Sequence, residues 1–384
     1  MPILSDLVLN RTYLRRQLLD ARSGRTPLDV VTHLVALQGQ DNDAPYLGLW
    51  ARLESFRHAE LTELLESRQV VRGPLLRGTQ HLCSGADYPW LRPTLQPVLE
   101  RLAGRLTAVP DRTALLASVG RILAAEPLPR AELGRRLAAD FPGHAPSDLA
   151  LAAHLTTPLL HPPPSGFWGR RGRIRCVAAD AWLGRPMSAA DLATLVIRYL
   201  AAYGPASVKD VQVWSGLTRM GSVLQDLRGQ LRIFHDDNGI ELYDLPDAPR
   251  ADPDEPVPVV FLPEFDNAVL GHADRGRIIR PGDRALVTPG WSIVRPTVLV
   301  DGFVAATWER AGGELRISPF RAWSSKVRDE VAAEGDRLIR FAAPGCEPRL
   351  TFADPENSKG ALRAADTKSP FTGGNGVTEG GFVR

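Results

Sequence analysis

The sequence predicts an α+β chain in which three tandem helical segments, each closed by strands, precede a β-rich C-terminal part. Three observations carry this expectation. The order helix, helix, helix, strand hairpin recurs along the chain. Asn238-Gly239 and Asp301-Gly302 each sit between runs of alternating apolar and polar residues, which is a hairpin signal. Beyond Asp247 the texture changes to a Pro-rich acidic linker, ADPDEPVPVV, and short strand-like runs.

In chain order, the first segment is expected to hold helices over 11–19, 27–38 and 44–53, an extra helix over 59–67, and strands around 70–83. The second is expected to place helices over 113–125, 129–140 and 147–157 before a wing from about 159 to 177. The third has the clearest pattern. Leu192, Leu195, Val196, Tyr199 and Leu200 recur at helical spacing after a capping Ser188, and Gly204-Pro205 breaks that helix. Ser207 then opens VKDVQVWSG, residues 217–230 form a third helix in the recognition position, and LRIFHDDNGIELYDL supplies the hairpin. Three helices and a hairpin make a winged helix-turn-helix. The C-terminal part is expected to contain the strand VVFL, the hairpin TVLVDGFVAATWE and an amphipathic helix over 326–341. From residue 354 the chain is rich in Gly, Ser, Asn and Lys, and disorder is expected. The expected units are therefore 1–110, 111–187, 188–250 and 251–353, with a tail over 354–384.

Composition excludes several classes. No apolar run approaches the roughly 18–20 residues of a membrane span, and MPILSDLVLNRTYLRRQ lacks the layout of a secretory signal, so the cytoplasm is the expected address. Cys83, Cys176 and Cys346 are odd in number and far apart, which gives neither a disulfide framework nor a zinc spacing. No metal or cofactor is expected. GxSxG, HExxH, Walker and Rossmann patterns are missing, and the eight histidines are scattered. His33 reads as a satisfied core histidine. The formal charge of +2 hides a strong bias, because the lysines are Lys209, Lys326, Lys359 and Lys368 and the other basic side chains are arginines. The first 208 residues therefore offer no amine for a Schiff base.

Tandem winged helices suggest DNA, although such folds also bind proteins. Arg170, Arg171, Arg173 and Arg175 lie in the middle wing, where they either neutralise phosphates or form a solvated basic tip. Arg219, Gln225 and Arg228 are placed to line a recognition helix. VALQGQDNDAPY carries Gln38 and Gln40 two residues apart, where two amides can share one water or simply cap a helix ending at Gly39. LLRGTQHLCS sets Arg77, Thr79 and His81 on alternate positions of a strand, a row that faces either DNA or solvent.

As a set, LNRTYLRRQLL, LQGQDNDAPYLGLWARL, LLRGTQHL, AAYGPASVKDVQVWSGL, FLPEFDNAVLGHADRGR and RPTVLVDGFVAATWE resemble the AlkZ-like winged-helix DNA glycosylases of bacteria. This family includes self-resistance enzymes that unhook interstrand cross-links formed by antibiotics such as azinomycin. The resemblance implies three winged-helix units in a curved arrangement with a β-rich C-terminal part. It also implies that Gln38 and Gln40 match the family's Gln–aliphatic–Gln signature, with Gly39 departing from the aliphatic middle position. Other members carry aspartate at the second position, so Gln40 points to the antibiotic-resistance branch. The implied function is monofunctional hydrolysis of the N-glycosidic bond of N7-alkylated purines, without lyase activity. The implied partner is double-stranded DNA carrying alkylated or cross-linked purines, bound by a monomer. Asp266 and Asn267, then His272, Arg275 and Arg277, either border the cleft and touch the DNA backbone or form a capped surface loop. A promoter-binding regulator or a protein-interaction scaffold would share the fold; the regulator would show tight, sequence-dependent DNA binding without base release.

Overall fold

The computed structural model describes residues 2–290 and 293–355; the tail expected to be disordered lies, from residue 356, outside the described residues. The chain is α+β, as its sequence predicts. Three segments pack four, three and three main helices respectively beside small three-stranded sheets, and a five-stranded sheet follows. Among the described residues no helix is long and apolar enough to cross a membrane.

In the first segment, the Ser5 hydroxyl accepts from Val8 N–H to start the helix Asp6–Arg16. A reciprocal Thr26–Asp29 capping box, with Pro27 at the first helical position, starts Pro27–His33. This helix stops five residues short of the expected end. Val35 takes a left-handed φ of 68°, and Leu37–Gln38 then pairs as a strand with Gln80–Ser84. The run Val30, Val31, Leu34, Val35, Ala36, Leu37 is buried throughout, so its apolar pattern has no period that separates helix from strand. The strand Val70–Pro74 completes the sheet on the other side of Gln80–Ser84, with Arg72 opposite Leu82. Arg77 and Thr79 lie outside these strands. Leu76–Gly78 is a tight turn with Arg77 at φ 54°, so the expected alternating row of Arg77, Thr79 and His81 is a hairpin corner instead.

Two helices, Tyr88–Thr94 and Gln96–Leu106, link this segment to the next. The second segment packs Arg112–Leu123, Arg130–Leu137 and Pro146–Thr156 around its own apolar cluster, which includes Leu115, Val119, Leu133, Leu137 and Leu149. Its expected wing is not a tight hairpin. Leu159–Leu160 and Arg175–Ala178 pair, but residues 161–174 between them are irregular and fold back onto the first segment. The third segment follows its expected order, but Asp191 rather than Ser188 caps its first helix and its third helix is shorter than expected: Leu192–Tyr203, Val208–Ser215 and Met220–Asp226 precede a hairpin of Arg232–Asp236 and Glu241–Asp244. Gly239 supplies the positive φ that the turn requires. Ile3–Leu4 adds a parallel strand to that hairpin and ties the N-terminus to the third segment.

The C-terminal sheet runs in the order Val260–Leu262, Thr297–Val300, Phe303–Ala311, Glu314–Pro319, Arg349–Phe352, covered by the helix Ser325–Ala342. Its hairpin turns at Asp301 and Gly302, both at positive φ, as the Asp-Gly pair predicts. The first, third and C-terminal parts share one continuous apolar core. A polar staple crosses it. Arg52, fully buried, donates from both terminal nitrogens to Asp266 at 2.8 and 2.9 Å and from Nε to the Gln17 carbonyl. Next to it, the Asn267 amide donates to Ala36 O at 2.7 Å and to the Tyr203 hydroxyl, which itself donates to Leu34 O.

Removing one partner of a buried bidentate pair leaves an uncompensated charge. Asp266→Ala should therefore lower unfolding free energy by about 3–5 kcal/mol. Urea denaturation of the full chain measures this, and a loss below about 1 kcal/mol would show Arg52 to be compensated elsewhere.

Candidate active site

Gln38 ends its strand opposite His81, with its side chain buried. The chain then leaves the sheet through Gly39, whose N–H donates to Gln80 O at 2.8 Å. The Gln38 side-chain oxygen accepts from the backbone N–H of Gln40 at 2.8 Å, and the Gln40 side-chain oxygen accepts from the backbone N–H of Gln80 at 3.4 Å. Each amide oxygen is thus held by a main-chain donor. Gln40 is half-buried.

Glycine at the middle position is a matter of space. A Cβ on Gly39 would lie 2.5 Å from Leu82 Cδ1, and the backbone there is not left-handed. Leu82 therefore fills the volume that an aliphatic residue at position 39 would take. Rigidity comes from Arg72, whose Nε and one terminal nitrogen donate to Gly39 O at 3.2 and 2.9 Å while the other donates to Ser165 Oγ at 2.7 Å. Burial pulls the Arg72 pKa down to about 10, against the pull of Asp41, so the group stays charged at neutral pH.

The loop after Gln40 is clamped from the second segment. Asp43 accepts from Gly169 N–H at 2.6 Å, Asn42 donates to Arg170 O at 2.6 Å, and Arg171 reaches Asp41 at 3.1 Å and Asp43 at 3.6 Å. The side chains of Arg170, Arg171, Arg173 and Arg175 are exposed. Glu264, on the LPEFDN loop, faces the same acidic pair. Burial, reinforced by Asp41 and Asp43 and opposed by Arg171, pushes its carboxyl up to about 7. Burial likewise raises Asp43, with Asp41 adding to it.

The other expected site residues divide sharply. His81 is 1% exposed and lies beside Gln38 across the sheet; its Nδ1–H donates to Thr79 O at 2.9 Å. Burial and Arg77 push its pKa down to about 3, so it is a neutral ring rather than a proton carrier. Thr79 bonds back to Leu76 O. Arg77 donates to Trp214 O, and burial lowers its pKa to about 10. Asp266 and Asn267 are a correction: both are buried and spend their side chains on Arg52, Ala36 and Tyr203, so they brace the site from behind. His272 is buried against Tyr203 O, and Arg277 donates to Pro205 O. Arg275 is partly exposed, its pKa lowered by burial and by Arg284. Arg219 and Gln225 are exposed, whereas Arg228 is committed to Glu241 at 2.9 and 3.0 Å. His33 donates to Arg16 O at 2.7 Å, as a satisfied core histidine should.

The family model of the AlkZ-like DNA glycosylases matches residues 31–341, a stretch that contains the glutamine pair, its clamp and the LPEFDN loop. The chain belongs to that family. It is 24% identical over 335 residues to an interstrand DNA cross-link repair glycosylase of Streptomyces sahachiroi, covering 80% of this chain and 88% of the relative. Its fold also superposes on the solved DNA glycosylase AlkZ of Streptomyces sahachiroi with a TM-score of 0.76 at 20% identity, over 91% of this chain and all of that one.

For an AlkZ-like chain the arrangement has a clear chemical character. Beside the two amides lie a neutral imidazole and, across the loop, carboxyl groups that favour positive charge nearby. Among the described residues there is no cluster of metal-ligating side chains. Arg72, Gln80, Asp41, Asp43 and Glu264 were not legible as site residues. The motif strings contained most of them, but nothing in the spacing of residues 41, 72, 80 and 264 says that they meet.

Two outcomes follow from the packing. Gly39→Val should destabilise the chain, and Leu82→Ala in the same molecule should recover part of the loss, with a coupling of about 1 kcal/mol in a double-mutant cycle. Additive effects would show that Leu82 does not occupy the site of the aliphatic residue. The raised Glu264 pKa makes the folded chain bind the proton more tightly than the unfolded one. Its stabilising contribution is full below about 4.5 and is lost as pH rises through about 7. Glu264→Gln should accordingly raise the melting temperature relative to the parent at pH 8 and not at pH 4.5. A pH-independent difference would place Glu264 in solvent.

Proposed function

We propose that this AlkZ-like glycosylase hydrolyses the N-glycosidic bond of N7-alkylated purines in double-stranded DNA, including the unhooking of interstrand cross-links, without strand cleavage. The observation that carries the reading is the main-chain grip on both amide oxygens of the Gln38–Gln40 pair. A glutamine amide is no general base near neutral pH. An N7-alkylated purine needs none in full, because the base is already cationic and leaves without a proton. What remains is to hold a water near C1′ and to favour an oxocarbenium-like sugar, which suits two oriented amides and nearby carboxylates. The relative's activity on interstrand cross-links and the match of Gln40 to the family's second glutamine support the cross-link as substrate.

In this reading the three helical segments are winged-helix units, with unit boundaries near residues 110, 187 and 250, and the chain acts as a monomer in the cytoplasm. Exposed Arg170, Arg171 and Arg173 lie one short loop from the glutamines and would contact phosphates, as would Arg275. Arg77, Thr79, His81 and Arg277 would support the DNA-facing surface from within, through their bonds to main-chain carbonyls. The lysine-free first 208 residues support hydrolysis rather than β-elimination through a Schiff base.

The test is single-turnover release of N7-methylguanine, and of one strand from an azinomycin-type cross-link, followed by alkaline cleavage at abasic sites. Gln38→Ala and Gln40→Ala should each slow release by about 100-fold or more with duplex binding retained. Duplex binding without release by the parent chain would favour a regulator, and nicking before alkali would overturn the monofunctional assignment.

A further inference from the structure

Behind the motif lies a polar cluster that the chemistry above does not use. Gln80, His154 and His161 are 7%, 5% and 2% exposed. The Gln80 side-chain nitrogen donates to His154 Nε2 at 3.0 Å, and the His154 and His161 rings stack in parallel with centroids 5.3 Å apart and planes 8° apart. The backbone N–H of His161 donates to the Arg72 carbonyl at 2.8 Å, which ties its main chain to the residue that holds Gly39. Both His161 ring nitrogens, His154 Nδ1 and Gln80 Oε1 are buried without a protein partner among the described residues.

A cluster kept for stability alone would be apolar, because each buried polar atom without a partner opposes folding. The polar groups instead converge on Gln80, whose main chain touches the motif twice: its carbonyl accepts from Gly39 N–H and its N–H donates to the Gln40 side-chain oxygen. We propose that Gln80, anchored by the His154–His161 stack, is a positioning residue that sets the orientation of the Gln40 amide. The proposal rests on the reading of Gln38 and Gln40 as the reacting pair. It also gives the second segment a part in the site, since His154 lies on its helix Pro146–Thr156 and His161 follows its strand Leu159–Leu160.

The anchor works only if His154 keeps a lone pair on Nε2. Burial and the flanking Arg130, Arg92 and Arg72 hold its pKa at about 3, and burial with His154, Arg72 and Arg130 lowers His161 as well. Both rings are therefore neutral throughout the range in which the enzyme would be assayed. With Nε2 accepting, the proton of His154 sits on Nδ1, a tautomer that the ring ¹⁵N shifts identify.

The deciding comparison uses the full chain with His154→Leu, which keeps bulk but removes the acceptor, His154→Gln, which restores an acceptor, and Gln80→Met, which removes the donor. Three quantities are read: single-turnover release of N7-methylguanine, affinity for an undamaged duplex, and amide hydrogen exchange at Gly39 and Gln80. His154→Leu should slow release about tenfold, leave duplex affinity within about twofold, and speed exchange at those two amides by about tenfold, with the rest of the sheet unchanged. His154→Gln should recover both rates to within about threefold. Gln80→Met should match His154→Leu, and it carries the comparison alone if the leucine variant does not fold.

Unchanged exchange at Gly39 and Gln80 overturns the proposal, as does faster exchange with unaltered release. Loss of protection across the whole sheet, or a glutamine variant as impaired as the leucine one, would mean that the stack is only structural. If the parent chain releases no base, the functional reading fails on its own, and the exchange data still decide whether the stack anchors Gln80.

Discussion

Arg52 can remain charged in the interior only because Asp266 lies against both of its terminal nitrogens and the Gln17 and Gly48 carbonyls take the rest. That requirement fixes how the C-terminal part meets the first segment. Asp266 precedes Asn267, which reaches Ala36, and two residues later the chain arrives at Gln38. A buried ion pair of this kind adds little net stability compared with apolar packing of the same volume. Its effect is directional: a shared apolar core tolerates small slips, whereas a bidentate guanidinium–carboxylate contact does not.

The same logic recurs at the glutamine motif. Gly39 is held at its N–H by Gln80 and at its carbonyl by Arg72, and the flanking amides are each held by a backbone donor. The Gln38–Gln40 pair of this AlkZ-like chain is thus held both along its main chain and at its amide oxygens. Any catalytic advantage from two weakly basic amides has to come from this fixed placement, since neither can gain much by proton transfer. Leu82 fills the space that a side chain at position 39 would need.

Charge around the motif is layered. The buried Arg72 guanidinium lies behind Gly39, Asp41, Asp43 and Glu264 lie ahead of it, and exposed arginines on residues 170–175 form the outer layer. Arg171 spans two of these layers by pairing with Asp41 and Asp43. The outer arginines suit a polyanion, and the inner carboxyls suit a sugar that becomes positive as the base leaves. The return of residues 161–174 onto the first segment makes that layering possible, and a tight wing would have removed it.

The sequence by itself determined those features that arise from local chemistry. The Thr26 and Ser207 capping boxes start helices, Asn238-Gly239 and Asp301-Gly302 turn hairpins, and the period of Leu192–Tyr203 announces an amphipathic helix. It also marked the two glutamines, through resemblance rather than through spacing. Local signals failed where tertiary contacts outweighed them. Pro89, Pro93 and Pro97 break the apolar pattern of residues 88–106, yet Pro89 and Pro97 fit the opening turns of two helices and Pro93 is carried inside the first. The stretch 34–38 became a turn and a strand because the edge of Gln80–Ser84 claimed it. The meeting of Arg72, Gln80, His154 and Glu264 around one loop was decided only in three dimensions. Apart from Arg72 and Gln80, which share one hairpin, these residues are separated by tens of positions, and hydrogen bonds and desolvation depend on distance in space, which no local pattern records.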